Sequence, residues 1–125
     1  MMLQKFSNLS KMSKKDDFDC IDVIGCIFNL TQTDISVIEL LKTDYGATAL
    51  EIATMIGKDR STAHRSLEKL VACGLGQKGR KTNETRGYSY VYTRISDRDL
   101  YLKAKSNIDM CYKKIEKALH QLKKS

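Results

Sequence analysis

The chain has 125 residues, of which 42% are hydrophobic and 30% are charged, and it has no proline. This length and composition predict one soluble globular domain with a modest core, and they exclude a membrane span, which needs about 18 consecutive apolar residues. The N-terminus lacks the apolar stretch of a secretory signal. We therefore expect a cytoplasmic protein that does not bind membranes.

The net charge of the whole chain is +7, and the positive charge is concentrated in its second half. Residues 1–57 hold five Lys/Arg against eight Asp/Glu, residues 58–94 hold nine against three, and residues 95–125 hold eight against four. Such an asymmetric distribution indicates a polyanionic partner, most often nucleic acid. A lysine-rich surface that contacts only solvent is the alternative that charge alone leaves open.

The first 30 residues divide into two parts. Residues 1–15 show no apolar periodicity and are rich in Ser, Asn and Lys, which predicts a disordered arm. Residues 16–30 place Phe18, Ile21, Ile24 and Phe28 at helical spacing and predict a short amphipathic helix, although Gly25 disfavours it and a strand is the alternative. No helix partner is evident in the following segment, so we expect this helix to pack at a subunit interface.

A second helix is predicted to begin at Thr31, which forms a capping-box pattern with Asp34. Its apolar residues recur at helical spacing as far as residues 45–46, where we expect the helix to end. They are Ile35, Val37, Ile38, Leu40 and Leu41.

Residues 47–75 have the pattern of a helix-turn-helix unit. Thr48 and Glu51 form another capping-box pattern, and Gly57 ends the helix that begins there. Asp59 caps the next helix, which runs to about Cys73. Two helices joined by a turn of about three residues are typical of this unit. The apolar stripe predicted for the first helix consists of Leu50, Ile52, Ala53 and Ile56.

The second of these helices has two chemically different faces. Ala63, Leu67 and Leu70 share one side and are predicted to face the core. The other side carries Arg60, Ser61, Thr62, His64, Arg65 and Lys69. Cations and short hydrogen-bonding groups of this kind suit phosphates and base edges in a DNA major groove.

Residues 76–94 change to the period of a β-hairpin. GQKGRK predicts a first strand, residues 82–87 a tip, and YSYVYTRI a second strand. Tyr88, Tyr90 and Tyr92 share one face of that strand, and we expect them to pack within the hairpin rather than to stack on bases. The basic residues that could reach phosphates or a minor groove are Lys78, Arg80, Lys81 and Arg86.

The C-terminal segment, residues 97–125, predicts one long helix capped by Ser96 and Asp99. Apolar residues recur along it at alternating spacings of three and four, the pattern of a coiled-coil dimer. They are Tyr101, Ala104, Ile108, Cys111, Ile115, Ala118 and Leu122. The seam is thin, so we expect support from Leu100, Leu119 and the helix at 18–28. We favour an antiparallel pairing, although Cys111 would meet its copy in either orientation.

No arrangement of residues predicts catalysis or a cofactor. The cysteines at 20, 26, 73 and 111 form no C-x-x-C pair, and His64 and His120 do not lie at zinc-ligand spacing from them. Glycine-rich nucleotide-binding motifs are also absent from the sequence. We therefore expect a non-enzyme without metal or cofactor, and a thiol redox sensor is the alternative for the cysteines.

The segment GKDRSTAHRSLEKLVACGL, followed by a basic stretch and GYSYVYTRIS, resembles the small archaeal TrmB-like winged helix-turn-helix transcriptional regulators of the broader MarR-like class. The resemblance covers roughly residues 28–96. It implies a mostly α fold with a β-hairpin wing, and a dimeric regulator that places helix 60–73 in the major groove of double-stranded DNA and the wing, 76–94, on the backbone or minor groove. The matching DNA-facing positions are Arg60, Ser61, Thr62, His64 and Arg65, with Arg80, Lys81 and Arg86 on the wing. Thr48, Lys69 and Lys78 complete the predicted DNA-binding set.

These observations predict three segments: an arm at 1–15, a winged DNA-binding domain at 16–96, and a dimerisation helix at 97–125. The chain ends at Ser125, so we expect no sugar-binding effector domain of the kind that full-length TrmB proteins carry, and any small-molecule effector is unknown. The alternative function is a protein-interaction module or a general transcription factor without sequence-specific DNA binding. Such a module would not need the positive charge of residues 58–94.

Overall fold

The structure is a computed structural model that describes residues 19–83 and 87–124. The predicted arm at 1–15 and Arg86 at the hairpin tip lie outside the described residues. The elements are α1 (Cys20–Ile27), α2 (Gln32–Leu40), α3 (Ala49–Ile56), α4 (Arg60–Ala72), β1 (Gly76–Asn83), β2 (Gly87–Arg94) and α5 (Asp97–Lys124). The predicted fold class, mostly α with a β-hairpin wing and a long C-terminal helix, is confirmed.

Contacts divide the chain into two units. One unit is Leu30–Ser96, which contains α2 to α4 and the hairpin, and the other contains α1 and α5. The sequence pattern places the first helix in the winged domain, at 16–96, and predicts its packing partner at a subunit interface. In the structure α1 packs against α5 of the same chain, and Ile24, Cys26 and Ala104 are buried in this unit. The thin apolar seam of α5 therefore has local support from α1, as predicted.

Helices α2 and α3 begin at the predicted capping residues, and the predicted hydrogen bonds are present there. Thr31 Oγ1 accepts from the Asp34 amide at 3.1 Å, and the Asp34 carboxylate accepts from the Thr31 amide at 2.9 Å. Thr48 and Glu51 form the same reciprocal pair at 3.1 and 3.2 Å. Gly57 ends α3 with φ at +67°, a left-handed conformation that glycine adopts without a steric penalty. Both capping boxes and the end of α3 are confirmed.

Helix α2 is shorter than predicted. The apolar pattern predicted a helix to residues 45–46, but α2 ends at Leu40. The chain then runs beside β2, where the Ala47 amide donates to the Tyr92 carbonyl at 3.0 Å and the Tyr92 amide donates to the Ala47 carbonyl at 2.8 Å. These long-range backbone bonds hold Ala47 beside β2, after a bend at residues 43–45, and a local helical pattern cannot reveal them.

The core of the Leu30–Ser96 unit lies between α2, α3, α4 and the base of the hairpin. Ala63, Leu67 and Leu70 are 0% exposed, which confirms the predicted inner face of α4. Leu50 is 62% exposed, so its predicted place in the buried stripe of α3 is wrong. The core-facing residue at the start of α3 is instead Ala49, which is 7% exposed and lies on the same buried face as Ile52 and Ala53. Among the described residues, the other large side chains that are fully buried include Val37, Ile38, Ile52, Leu75 and Tyr92.

The hairpin is antiparallel, with a continuous register from Gly76 opposite Arg94 to Asn83 opposite Gly87. Its tip is therefore narrower than the predicted 82–87, because residues 82 and 83 already pair with β2. Of the three tyrosines expected to pack within the hairpin, Tyr92 is 2% exposed and its hydroxyl bonds to Glu68 of α4, whereas Tyr90 is 44% exposed. The side chain of Tyr88 lies outside the described part of the chain.

Gly46 lies against β2, and its substitution by alanine tests this close packing. A Cβ at Gly46 would lie 2.7 Å from both Cβ and Cγ2 of Val91, and the Cβ of Val91 cannot move away without moving β2. We expect Gly46→Ala to lower the free energy of unfolding by about 1–3 kcal/mol, the usual cost of overpacking. Thermal denaturation measures the effect. Gly79→Ala is the matched control, since its nearest contact with Val91 is 4.0 Å, and equal losses in both variants would contradict the prediction.

Candidate nucleic-acid interface

Four of the predicted DNA-facing residues share the exposed face of α4. Arg60, Ser61, His64 and Arg65 are exposed, and Thr62 is half-buried. The spacing of three and four places Ser61, His64 and Arg65 on adjacent turns. The guanidinium of Arg65 donates to Thr62 Oγ1 at 3.4 Å. The face therefore offers two guanidinium groups, an imidazole and hydroxyls to a partner.

Lys69 differs from this group. Its Nζ lies 2.6 Å from the Asp34 carboxylate, which is only 4% exposed and also accepts from Ser66 Oγ at 2.5 Å. Burial by itself raises the pKa of Asp34, but the bonds from Lys69, Ser66 and Thr31 outweigh it and hold that pKa below its usual value. Lys69 therefore joins α4 to α2, and its contact with DNA stays a prediction.

Lys78 is also held within the domain. Its Nζ lies 3.0 Å from Glu68 Oε2 and 4.3 Å from the centre of the Tyr90 ring. The same carboxylate oxygen accepts from the Tyr92 hydroxyl at 2.6 Å and lies 3.8 Å from His64 Nε2. Lys78 thus fixes the base of the hairpin against α4, and its contact with DNA stays a prediction.

Glu68 joins α4 to the hairpin through its contacts with Lys78 and Tyr92, and we call these three residues the latch. Burial, and then the hydrogen bond to the Glu68 carboxylate, raise the pKa of the Tyr92 hydroxyl well above its ordinary value. The hydrogen bonds from Tyr92 and Lys78 lower the pKa of Glu68. Glu68 is therefore ionised and Tyr92 protonated at neutral pH, so the latch is intact under physiological conditions. The sequence analysis did not single out Glu68.

The outer part of the wing carries Arg80 and Lys81, both of which are exposed on β1. Thr48 is half-buried, and its hydroxyl lies 3.1 Å from Glu51 Oε1 as part of the capping box. The structure thus brings Arg80 and Lys81 to the surface of the same unit as the exposed face of α4, while the hydroxyl of Thr48 serves the start of α3.

An open groove of about 610 Å³ lies between the start of α3, the start of α4 and the hairpin. Its lining includes Tyr45, Leu50, Glu51, Arg60, Lys81 and Tyr90. Tyr45 is not recognisable as a groove residue from the sequence, because the apolar spacing assigns it to the end of a helix, where its position carries no signal. The exposure of Leu50 is the other clue, since an apolar residue at that position was expected inside.

The described ranges contain no group of three or more His, Cys, Asp or Glu residues that could hold a metal ion. All four cysteines are described, and none of them forms a disulfide. Within the same residues, every helix is too short or too polar to cross a membrane.

Comparison with known proteins identifies the helical part of this interface. Residues 30–75 match the model of the winged helix-turn-helix DNA-binding family. The chain contains a winged helix-turn-helix domain. The match covers α2, α3 and α4, and the hairpin follows directly in the position of the wing.

Two relatives are uncharacterised proteins of the archaeon Methanocaldococcus jannaschii. One is 37% identical over 79 residues, which cover 62% of this chain and 64% of the relative. The other is 32% identical over 75 residues, which cover 58% of this chain and 55% of the relative. The chain thus spans less than two thirds of the length of the curated relatives it matches.

Two solved archaeal structures share the fold. The possible transcriptional regulator from Methanosarcina mazei Go1 superposes with a TM-score of 0.74 at 24% identity, covering 84% of this chain and 93% of that one. A protein of the thermoacidophilic archaeon Sulfolobus tokodaii superposes with a TM-score of 0.59 at 25% identity, covering 78% and 92%. The resemblance to small archaeal winged-helix regulators is confirmed at the level of the winged-helix class.

Proposed function

We propose that the protein is a transcriptional regulator that binds a specific site on double-stranded DNA as a homodimer and has no catalytic activity. The winged domain inserts α4 into the major groove, and its hairpin contacts the DNA backbone or the adjacent minor groove. The observation that carries this proposal is the exposed face of α4, with Arg60, Ser61, His64 and Arg65, in a winged helix-turn-helix domain whose hairpin also exposes cations.

The contacts within the domain support a division of roles among its cations. Lys69 and Lys78 are paired with Asp34 and Glu68, so they hold α4 against α2 and the hairpin. Arg65 lies on the helix face that enters the groove, where a guanidinium can read a guanine edge with two hydrogen bonds. Arg80 lies on the wing, where contacts to phosphates fix position without reading sequence.

The apolar surface of α5 supports the homodimer. Ile108, Leu119 and Leu122 are 43%, 58% and 73% exposed, and they lie on the seam side of the helix. Each large aliphatic side chain contributes about 1.5–3 kcal/mol when it becomes fully buried. A second copy of the helix can cover this surface, and a two-fold dimer presents two recognition helices to a palindromic site.

The test compares Arg65→Ala with Arg80→Ala. For the wild-type dimer, neutralisation of about eight phosphates predicts a slope of log affinity against log salt of about −7. Arg65→Ala should reduce discrimination between the selected site and random duplex by about 1–3 kcal/mol. Arg80→Ala should weaken both duplexes alike and flatten the slope by about one unit. Fluorescence anisotropy over a range of salt concentrations measures both effects.

Lys103→Ala, which removes one exposed cation from α5, is the control and should leave the discrimination unchanged. Equal weakening of specific and random DNA by Arg65→Ala would make Arg65 a phosphate contact. A flat salt response of the wild-type protein would instead favour the protein-interaction module.

A further inference from the structure

We propose that the groove between α3, α4 and the hairpin holds one strand of the DNA, and that Tyr45 and Tyr90 bind its deoxyriboses while Arg60 and Lys81 bind its phosphates. This inference rests on the proposed function and deepens it. It adds two binding residues that neither the charge pattern nor the face of α4 indicates.

The apolar lining of the groove is unusually exposed for this domain. Tyr45 is 64% exposed, Leu50 is 62% exposed and Tyr90 is 44% exposed, and all three line the same groove. They come from three separate parts of the chain, namely the segment after α2, the start of α3 and the strand β2. Exposed apolar side chains that gather in one concave surface indicate a binding site more strongly than scattered ones.

The charge of the groove suits a polyanion. Arg60, His64 and Lys81 line it, and Glu51 is the acidic residue among its lining residues. The carboxylate of Glu51 accepts hydrogen bonds from the amide and hydroxyl of Thr48 at 3.2 and 3.1 Å, so it serves the helix cap. A sugar–phosphate strand alternates anionic phosphates with largely apolar sugars. The mixture of cations and exposed rings in this groove is complementary to that alternation.

The ring of Tyr90 is oriented by the latch at the base of the hairpin. Lys78 Nζ lies 4.3 Å above that ring while it also pairs with Glu68 at 3.0 Å. A cation held over an aromatic face restricts the ring at low entropic cost. Lys78 therefore positions the Tyr90 ring. Lys81, three residues further along β1, lines the groove itself.

The backbone around Tyr45 explains why this side chain lies in the groove. The Ala47–Tyr92 bonds hold Ala47 against β2, and Tyr45 lies at the end of a bend two residues earlier. Gly46 leaves no room for a side chain between the chain and Val91. The segment thus lies close against β2 while the Tyr45 side chain remains exposed. A tyrosine held on a rigid segment loses little conformational freedom when it binds.

Substitution of Tyr45 separates a sugar contact from a phosphate contact. A contact with deoxyribose releases no counterion, so Tyr45→Ala should weaken duplex binding about five- to tenfold and leave the salt slope unchanged. Lys81→Ala should flatten the slope by about 0.9. Met55→Ala is the matched control, since Met55 is 54% exposed on α3 and does not line the groove. This control should bind DNA as the wild type does.

Chemical modification of the unaltered full chain provides the second measurement. Saturating duplex DNA should slow nitration of Tyr45 and Tyr90 by tetranitromethane at least severalfold, as measured by peptide mass spectrometry. Tyr112, which is 61% exposed on α5, is the internal control and should react at the same rate with and without DNA.

The outcomes separate this inference from the proposed function. If the wild-type protein binds duplex DNA but nitration of Tyr45 and Tyr90 is unchanged, the strand does not follow the groove and the inference is overturned. A change of salt slope in Tyr45→Ala would equally overturn the sugar contact. If the wild-type protein binds no duplex at low salt, the proposed function itself fails. Protection of the tyrosines by an acidic peptide instead of DNA would assign the groove to a protein partner.

Discussion

Replacing Ile115 and Leu122 of α5 together by glutamate is expected to convert the proposed dimer into a monomer and to weaken binding to a palindromic site by at least about 100-fold. The loss is large because the second recognition helix of a dimer binds at a high effective concentration, which typically adds a factor of about 10²–10⁴. Two glutamates from each copy would place four carboxylates in the apolar seam. Sedimentation measures the mass, and anisotropy with a palindromic duplex measures the affinity.

The matched control places two glutamates on the opposite face of the same helix, at Ser106 and His120, both of which are exposed. This control adds the same charge and should remain dimeric. Mild oxidation should also crosslink the wild-type dimer through Cys111, and Cys111→Ser should abolish the crosslink. A wild-type protein that is monomeric at micromolar concentration would contradict the dimer. A dimer without the crosslink would show that the seam is offset from Cys111.

Asp34→Ala is expected to lower the free energy of unfolding by about 3 kcal/mol, because it removes charge-assisted hydrogen bonds and half of a capping box. In the wild type the buried carboxylate accepts from the Thr31 amide, Ser66 Oγ and Lys69 Nζ at 2.9, 2.5 and 2.6 Å. The substitution leaves the ammonium of Lys69 without this carboxylate. For a unit of this size the midpoint of thermal unfolding should fall by roughly 12–24 °C.

The effect of Asp34 should also depend on pH. Because the pKa of Asp34 is lower in the folded protein than its ordinary value, its contribution to stability is fully present above that ordinary value and is lost as pH falls through the folded pKa. The stability difference between wild type and Asp34→Ala should therefore be constant near neutral pH and shrink below about pH 4. Asp44→Ala, at an exposed carboxylate of the same unit, is the control and should change little. A difference that persists undiminished in acid would contradict this account.

Local signals predicted the helices of the winged domain well. The capping boxes at Thr31 and Thr48 and the cap at Asp59 each involve a partner three residues away. The inner face of α4 follows from apolar residues within three turns. Because such bonds and periodicities need only neighbouring residues, they can be identified without any knowledge of the fold.

The candidate site was only partly predictable, because the partners of its side chains lie far away in the sequence. A lysine on a polar face has the same sequence pattern whether it meets a phosphate or a carboxylate of the same chain. Lys69 pairs with Asp34, which lies 35 residues earlier, and Lys78 pairs with a carboxylate on another element. The site residues Arg60, Ser61, His64 and Arg65 are the ones whose exposure agrees with their position on the helical wheel.

The sequence by itself determined the order of the elements, the starts of the capped helices and the two faces of α4, because these depend on interactions within one or two turns. Only the tertiary structure decided that α2 ends at Leu40 and that Tyr45 and Tyr90 line one groove. Each of these outcomes depends on pairs of residues far apart in the chain, such as Ala47 and Tyr92. Such pairs form only when the hydrophobic core brings distant segments together.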